Sequence, residues 1–499
     1  MNRKPFFKSG DDWNEKLLIE AEKYCSEIAL EELNLNIFPN QIEIVTYEQM
    51  LDVYASKGLP TMYNHWSFGK EYVINESLYK KGDMNLAFEI VINSNPCISY
   101  LLENNNMTTQ LLTIAHAAFG HNHFFKNNYF FREWTDPEGI IDYLVFAKKY
   151  IDECEMKYGE QEVEKILNAC HTLSLNSVEK YKRKSAGSEK KKKLLKEKMD
   201  EEKQKNINIM WEQLIEKKEN EKKEKEEFVF FDEENLLYFL EKNSQVLDVW
   251  QREICRIVRK ISQYFYPQFL TKVMNEGWAS FTHYYIANRL YEKGLIDDGT
   301  MLEILKLHTN VLNWFLFKDF GFNSMFNPYS LGFEIYNEIK RICENPTKED
   351  EEYNPDICGQ DWKKTLLYVV ENFRDDSFIM QFLTPNLIRQ KRMFVILDDE
   401  NNEEFIVEKI HDRRGYKDIR RYLSEKYRYD SFVPEITVEK VDFRKDRTLY
   451  LLHKRKNNIL LHKSVLEVLK QIKVLWGFRV VLHSVNVENE KDIVRYSTD

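Results

Sequence analysis

Three of the chain's eleven histidines fall within eight residues, in Thr113-Ile-Ala-His116-Ala-Ala-Phe-Gly-His121-Asn-His123-Phe-Phe. The surrounding run, from Leu111 to Phe125, is otherwise almost wholly apolar. An imidazole is costly to bury unless its ring nitrogens find partners, so the cluster calls for a reason. One reason is a metal site, since neutral imidazole is a strong ligand for zinc and iron. The other is a set of core histidines hydrogen-bonded to backbone carbonyls.

Spacing bears on the choice. Residues 111–119 lack Gly and Pro and read as a buried helix. On a regular α-helix His116 and His121 diverge by about 140°. A one-residue π-bulge, for which Gly120 is a natural place, makes a five-residue spacing behave like four. The pair then mimics the His-Glu-x-x-His helix of zinc hydrolases. Ala117 stands where that pattern carries its general base, so a base must come from elsewhere. Glu103, just ahead of the histidine helix, is the local candidate for a catalytic base; its alternative is a solvated charge near a helix start.

A second stretch, Met274-Asn-Glu276-Gly-Trp-Ala-Ser-Phe-Thr-His283, sets an acid and a histidine seven apart on one helix face. Glu276 would complete a two-His-one-Glu triad, and His283 would be a fourth ligand or a neighbour of the ligands. The competing reading is a buried Glu–His hydrogen-bonded pair. His65, beside Trp66, is a lesser candidate.

The elements that must position these residues are mainly helical. Residues 11–35, 47–58, 138–180, 234–300, 300–344 and 362–384 carry helical periodicity. Residues 86–93 suit a strand or a buried helix, and 345–360 a surface loop. Beyond about 386 the pattern alternates. It predicts a hairpin from 392–397 and 404–410, a helix at 415–427, strands near 436–442 and 447–453, a helix at 463–475 and a strand at 478–486. We therefore expect a mainly α protein: a large helical domain over 1–385, interrupted by a Lys/Glu-rich insertion at 182–227, and a small α+β domain over 386–499.

Length alone, 499 residues, allows two domains. Lys+Arg 72 against Asp+Glu 82 leaves a net charge of −10, which argues against general nucleic-acid binding. The Lys run at 190–193 suits one side of a solvated insertion better than a nucleic-acid patch, and a contact with anionic lipid is a third, lesser reading. Seven scattered cysteines with no Cys-x-x-Cys pair, no N-terminal signal segment and no membrane-length apolar run suggest a reduced, cytoplasmic protein.

Several motifs occur in one order along the chain. They include Asn64-His65-Trp66, Asn95-Pro96-Cys97, His116-Ala-Ala-Phe-Gly-His121-Asn122, Ala169-Cys170-His171, Trp250-Gln251-Arg252, Asn275-Glu276-Gly277-Trp278-Ala279, Asn327-Pro-Tyr-Ser-Leu-Gly332 and Leu475-Trp476-Gly477. Together they resemble the stage V sporulation protein R (SpoVR) family, from about residue 10 to 490. The resemblance implies a mostly helical main domain, a smaller C-terminal domain and a role in spore-cortex formation. The family also occurs in bacteria that do not sporulate. Its two central motifs are similar to the halves of a helical, zincin-like zinc-peptidase site, which assigns metal ligation to His116, His121 and Glu276, with His283 beside them. His123 stands where relatives often carry Asp or Ser.

Two function classes follow. The first is a metal-dependent, hydrolase-like protein using one zinc or iron ion. The second is a non-enzymatic scaffold or regulator of cell-envelope or spore assembly, whose partner would be a protein or an envelope precursor.

Overall fold

The computed structural model describes residues 5–56, 58–59, 62–81, 89–181, 229–313, 326–393, 395–397, 406–409, 412–443, 445–455, 460–487 and 492–498. The charged stretch at 182–227 and the Lys run within it lie outside the described residues. The chain divides into two compact units, one of residues 1–164 with 264–433, the other of 165–263 with 434–499.

The first unit is chiefly helical. Helix α1 spans Glu15–Glu27, and its Asn14 cap accepts from Leu17 N. A small sheet follows, of β1 (Asn40–Val45), β2 (Glu89–Ile92) and β3 (Cys97–Leu102), in the order β1-β3-β2. Of the run at 86–93, ambiguous in the sequence, Glu89–Ile92 forms a strand. β3 is buried along its whole length, parallel to β1 and antiparallel to β2, with Glu89 opposite Leu101.

Helix α2 (Met107–Ile114) starts at Asn106, whose side chain accepts from Thr109 N. The helix does not end at Ile114. It passes into a π-helical segment, Ala115–His121, and returns to α geometry over Asn122–Asn127. The Asn122 amide N–H reaches back five residues to the Ala117 carbonyl, the π pattern.

Helices α3 (Lys272–Glu292), α4 (Asp298–Val311) and α5 (Pro328–Glu344) complete the frame. From Gly277 to His283 every residue of α3 is buried, as expected of a helix that is apolar on all sides. The Asp375 carboxylate accepts from the first amides of α3, Val273 N at 2.8 Å and Met274 N at 2.9 Å, groups that have no partner within the helix. Around α3 the core is aromatic: the Trp278 ring stacks on Phe281 at 5.8 Å and meets Tyr336 edge-on at 5.4 Å.

One expectation fails here. Residues 345–360 are not a plain loop. Thr347 and Asp350 form a capping box that starts a short helix, Lys348–Tyr353, and the Arg341 guanidinium holds Asp350 at 2.8 Å. The polar composition that suggested a loop is the capping chemistry itself.

The second unit contains a five-stranded sheet of β4 (Val229–Glu233), β5 (Ile436–Val441), β6 (Leu449–Arg455), β7 (Val480–Asn486) and β8 (Ile493–Ser497), ordered β8-β7-β6-β5-β4. Helix Val465–Trp476 connects the one parallel pair, β6 and β7. The strands at 436–441, 449–455 and 480–486 and the helix at 465–476 fall where the alternating pattern predicts them, but β4 comes from outside the expected 386–499 stretch, and residues 386–433 group with the first unit. The expected hairpin also forms, within the first unit, with Val395–Leu397 antiparallel to Ile406–Lys409. All seven cysteines are free thiols. Among the described residues no helix is long and apolar enough to cross a membrane.

Candidate metal centre

The π segment decides how the histidines face. With its wider turn, residues five apart share a side, and His116 and His121 come together with ring centroids 4.7 Å apart. Two contacts hold this less stable geometry. Asn122, at its end, accepts from Phe38 N at 2.8 Å and donates to Phe38 O at 2.9 Å, tying it to the chain entering β1. Gly120 lies against α3, where an added Cβ would sit 2.6 Å from Ala279 Cα. Only glycine allows this approach.

That approach brings Glu276, one turn before Ala279, to the histidines. Glu276 Oε2 lies 3.5 Å from His121 Nε2 and 3.8 Å from His116 Nε2. The three ligand atoms all fall within 4.8 Å of one another, and the group could hold a metal ion. Ligands about 2.0–2.2 Å from a tetrahedral ion stand about 3.4 Å apart. The observed separations are close to that and too long for good hydrogen bonds. Glu276 Oε2 is buried and has no hydrogen-bond partner among the described residues. A buried carboxylate oxygen left without a donor is costly, and a cation in the cluster would satisfy it.

Outer contacts orient both rings. His121 Nδ1 is 2.9 Å from Asn275 Oδ1, which can only accept; Nδ1 therefore carries the proton and Nε2 presents its lone pair to the cluster. His116 Nδ1 is 2.9 Å from His283 Nδ1. His283 is thus a neighbour behind His116, and not part of the His116–His121–Glu276 group.

Electrostatics separates the carboxylates. Burial raises Glu276, but His116 and His121 outweigh it and hold the group below its ordinary range. Glu89, at the start of β2, has its Oε1 3.7 Å from His116 Nε2. Burial, aided by Glu276, pushes Glu89 above its ordinary range against the pull of His116. Burial lowers His121 to about 4, leaving it neutral, as a ligand must be. Burial lowers His116 too, but Glu276 and Glu89 more than offset it.

Glu103 is not brought to this cluster. It is exposed just after β3; its N–H donates to Val45 O and its carbonyl accepts from Trp13 Nε1. Helix α2 runs between it and the histidines in sequence. His123 also turns away, its ring 5.4 Å from Trp278. His65 bonds Ser67 Oγ at 2.6 Å at the start of helix Trp66–Lys81.

Four residues at the site escaped the sequence reading. Glu89 is the lone charge in an apolar strand, the one signal that could have found it. Asn275 adjoins Glu276. Tyr329 stacks on His116 with ring centroids 6.4 Å apart. His308 lies behind His283, its Nδ1 2.7 Å from His283 Nε2.

The family model described as "SpoVR like protein" matches residues 12–432, and that described as "SpoVR-like C-terminal domain" matches 434–487. The chain is 46% identical over 488 residues to the Escherichia coli (strain K12) protein described as "Uncharacterized protein YcgB", covering 97% of this chain and 95% of that one. No solved structure matches. With both family models aligned end to end and a relative matched over nearly its whole length, the chain belongs to the SpoVR family.

Proposed function

We propose that this chain is a metal-dependent, zincin-like hydrolase in which His116, His121 and Glu276 hold one zinc or iron ion. The observation that carries the reading is the buried, partnerless Glu276 Oε2 facing two imidazole nitrogens at 3.5 and 3.8 Å. When bound, a divalent ion would polarise a carbonyl and acidify water. The chain's own groups account for the rest. Glu89 supplies the carboxylate that Ala117 lacks, and its raised proton affinity suits a general base taking a proton at Oε1. Glu276 stays ionised beside it. Two carboxylates pushed apart in this way divide the labour of base and ligand. Burial, with Glu276 and Glu89, holds the Tyr329 phenol well above its ordinary value, so it keeps its proton and can donate to an oxygen that gains charge. Amide or ester bonds are the substrates this set suits, and the family resemblance directs the search to envelope and spore-cortex precursors.

The test pairs metal content with turnover of a quenched-fluorescent peptide and ester panel. Glu89→Gln should keep the metal and lose about 100-fold or more in turnover. Metal retained with no hydrolysis by the wild type on any probe favours the scaffold reading, in which the same cluster only orders the core.

A further inference from the structure

Behind the cluster three imidazoles stand in file, one from each of three helical elements. His116 Nδ1 of the π segment is 2.9 Å from His283 Nδ1 of α3, and His283 Nε2 is 2.7 Å from His308 Nδ1 of α4. The last ring is held on both sides, stacked on Tyr284 at 4.8 Å and met edge-on by Phe333 at 4.8 Å. His283 and His308 are both buried.

A neutral imidazole has one N–H and one lone pair. Each contact in the file therefore needs a proton on one side only. Two orders satisfy both contacts. In the first, His116 Nδ1–H donates to His283 Nδ1, His283 Nε2–H donates to His308 Nδ1, and His308 carries its proton on Nε2. His116 Nε2 is then a free lone pair facing Glu276. In the second order every bond reverses. His308 Nδ1–H donates to His283 Nε2, His283 Nδ1–H donates to His116 Nδ1, and the displaced proton sits on His116 Nε2, facing the Glu276 and Glu89 carboxylates. Only the first order leaves His116 able to ligate.

We propose that His116, His283 and His308 form one tautomer-locked chain, in which His308, two rings from the cluster, is a positioning residue for His116 as a metal ligand. This rests on the metal reading above. A cation at His116 Nε2 selects the first order, and its presence is thereby recorded in which nitrogen of His308 bears the proton. An outer partner that fixes a ligand's tautomer is usually a carboxylate or a carbonyl, which can only accept. A histidine accepts in one order and donates in the other, so this chain can switch where those cannot.

The test uses full-length protein labelled with nitrogen-15 histidine, titrated with Zn²⁺ alone. Imidazole nitrogen shifts identify the tautomer of each ring, and zinc affinity is read in parallel. On zinc binding His116 should become the Nδ1–H form, and His283 and His308 the Nε2–H forms. His308→Asn, whose Oδ1 can accept where Nδ1 stood, should keep wild-type affinity. His308→Phe, which keeps the ring packing and loses the acceptor, should bind zinc about tenfold more weakly. Zinc-loaded wild type with His308 in the Nδ1–H form overturns the proposal, whether or not the variants fold. Equal zinc affinity in wild type and His308→Phe overturns it as well. No zinc uptake by the wild type overturns the metal reading itself, a different result from the other two.

Discussion

Gly277 of α3 and Gly332 of α5 touch backbone to backbone: a Cβ added to Gly277 would lie 2.4 Å from Gly332 Cα. The contact has a structural consequence. Glu276 precedes Gly277, and Tyr329 lies one turn before Gly332, so the crossing that needs both glycines also sets the carboxylate and the phenol at one site. The motifs around 275–279 and 327–332 are thus two halves of one joint.

A Cβ on Gly332 would sit 2.0 Å from Val273 O, a backbone atom that cannot rotate away. Gly332→Ala should therefore destabilise the protein by about 2 kcal/mol or more in urea unfolding, and reduce metal retention with it. Gly69→Ala, in a helix with nothing within 4 Å, is the control and should be neutral or mildly stabilising.

The contact that links Asn275 to the cluster is with His121 Nδ1. Asn275→Ala should leave the fold intact by thermal melting and weaken metal binding by about 10- to 100-fold, while Asn275→Asp, which still accepts from Nδ1–H, should retain most of it. Equal affinity in all three proteins would remove Asn275 from the centre.

Glu103 is the base the sequence suggests, and Glu89 the one we propose. Glu103→Gln should change neither metal content nor turnover, because its side chain is exposed and is not part of the His116–His121–Glu276 group. A loss of turnover in a folded Glu103→Gln protein would return the base to that position.

The site was half legible in the sequence because half of it is local. His116 and His121 lie on one continuous element, and their five-residue spacing with Gly120 between them carries the π geometry directly. Gly120 serves that geometry through its contact with Ala279, a partner that no local pattern reveals. The seven-residue interval from Glu276 to His283 gave a shared face, but which of the two meets His121 depends on where the helices cross. Glu89 reaches the site through pairing of β2 with β3, and His308 through packing of α4 on α3, both set by distant parts of the chain. The same holds in the second unit, where the alternating strands at 436–441 and 449–455 could be read, whereas Val229–Glu233 joins β5 from some two hundred residues away.

Burial, then the nearby His116, holds His308 down at about 4, against an ordinary value of 6.5. The groups facing it are His283 and Tyr284 of α3 and Phe333 of α5. Between pH 6.5 and 4 the unfolded chain takes up a proton on His308 that the folded protein refuses. Stability should accordingly fall as pH drops through that window, by up to about 3 kcal/mol from this group. His308→Asn lacks the step, so its stability difference from wild type should shift in its favour from pH 7 to pH 4.5 in denaturant titrations. A constant difference would contradict this.

The central claim is that His116, His121 and Glu276 hold a metal ion, and the most direct measurement is metal content by plasma mass spectrometry. Protein purified without a metal-affinity tag should be compared with His121→Ala, each before and after reconstitution with zinc and with ferrous iron. We predict near-stoichiometric zinc or iron in the wild type and its loss in the folded variant. No metal in either protein, even after reconstitution, would contradict the account and leave the three residues as a buried polar cluster of the core.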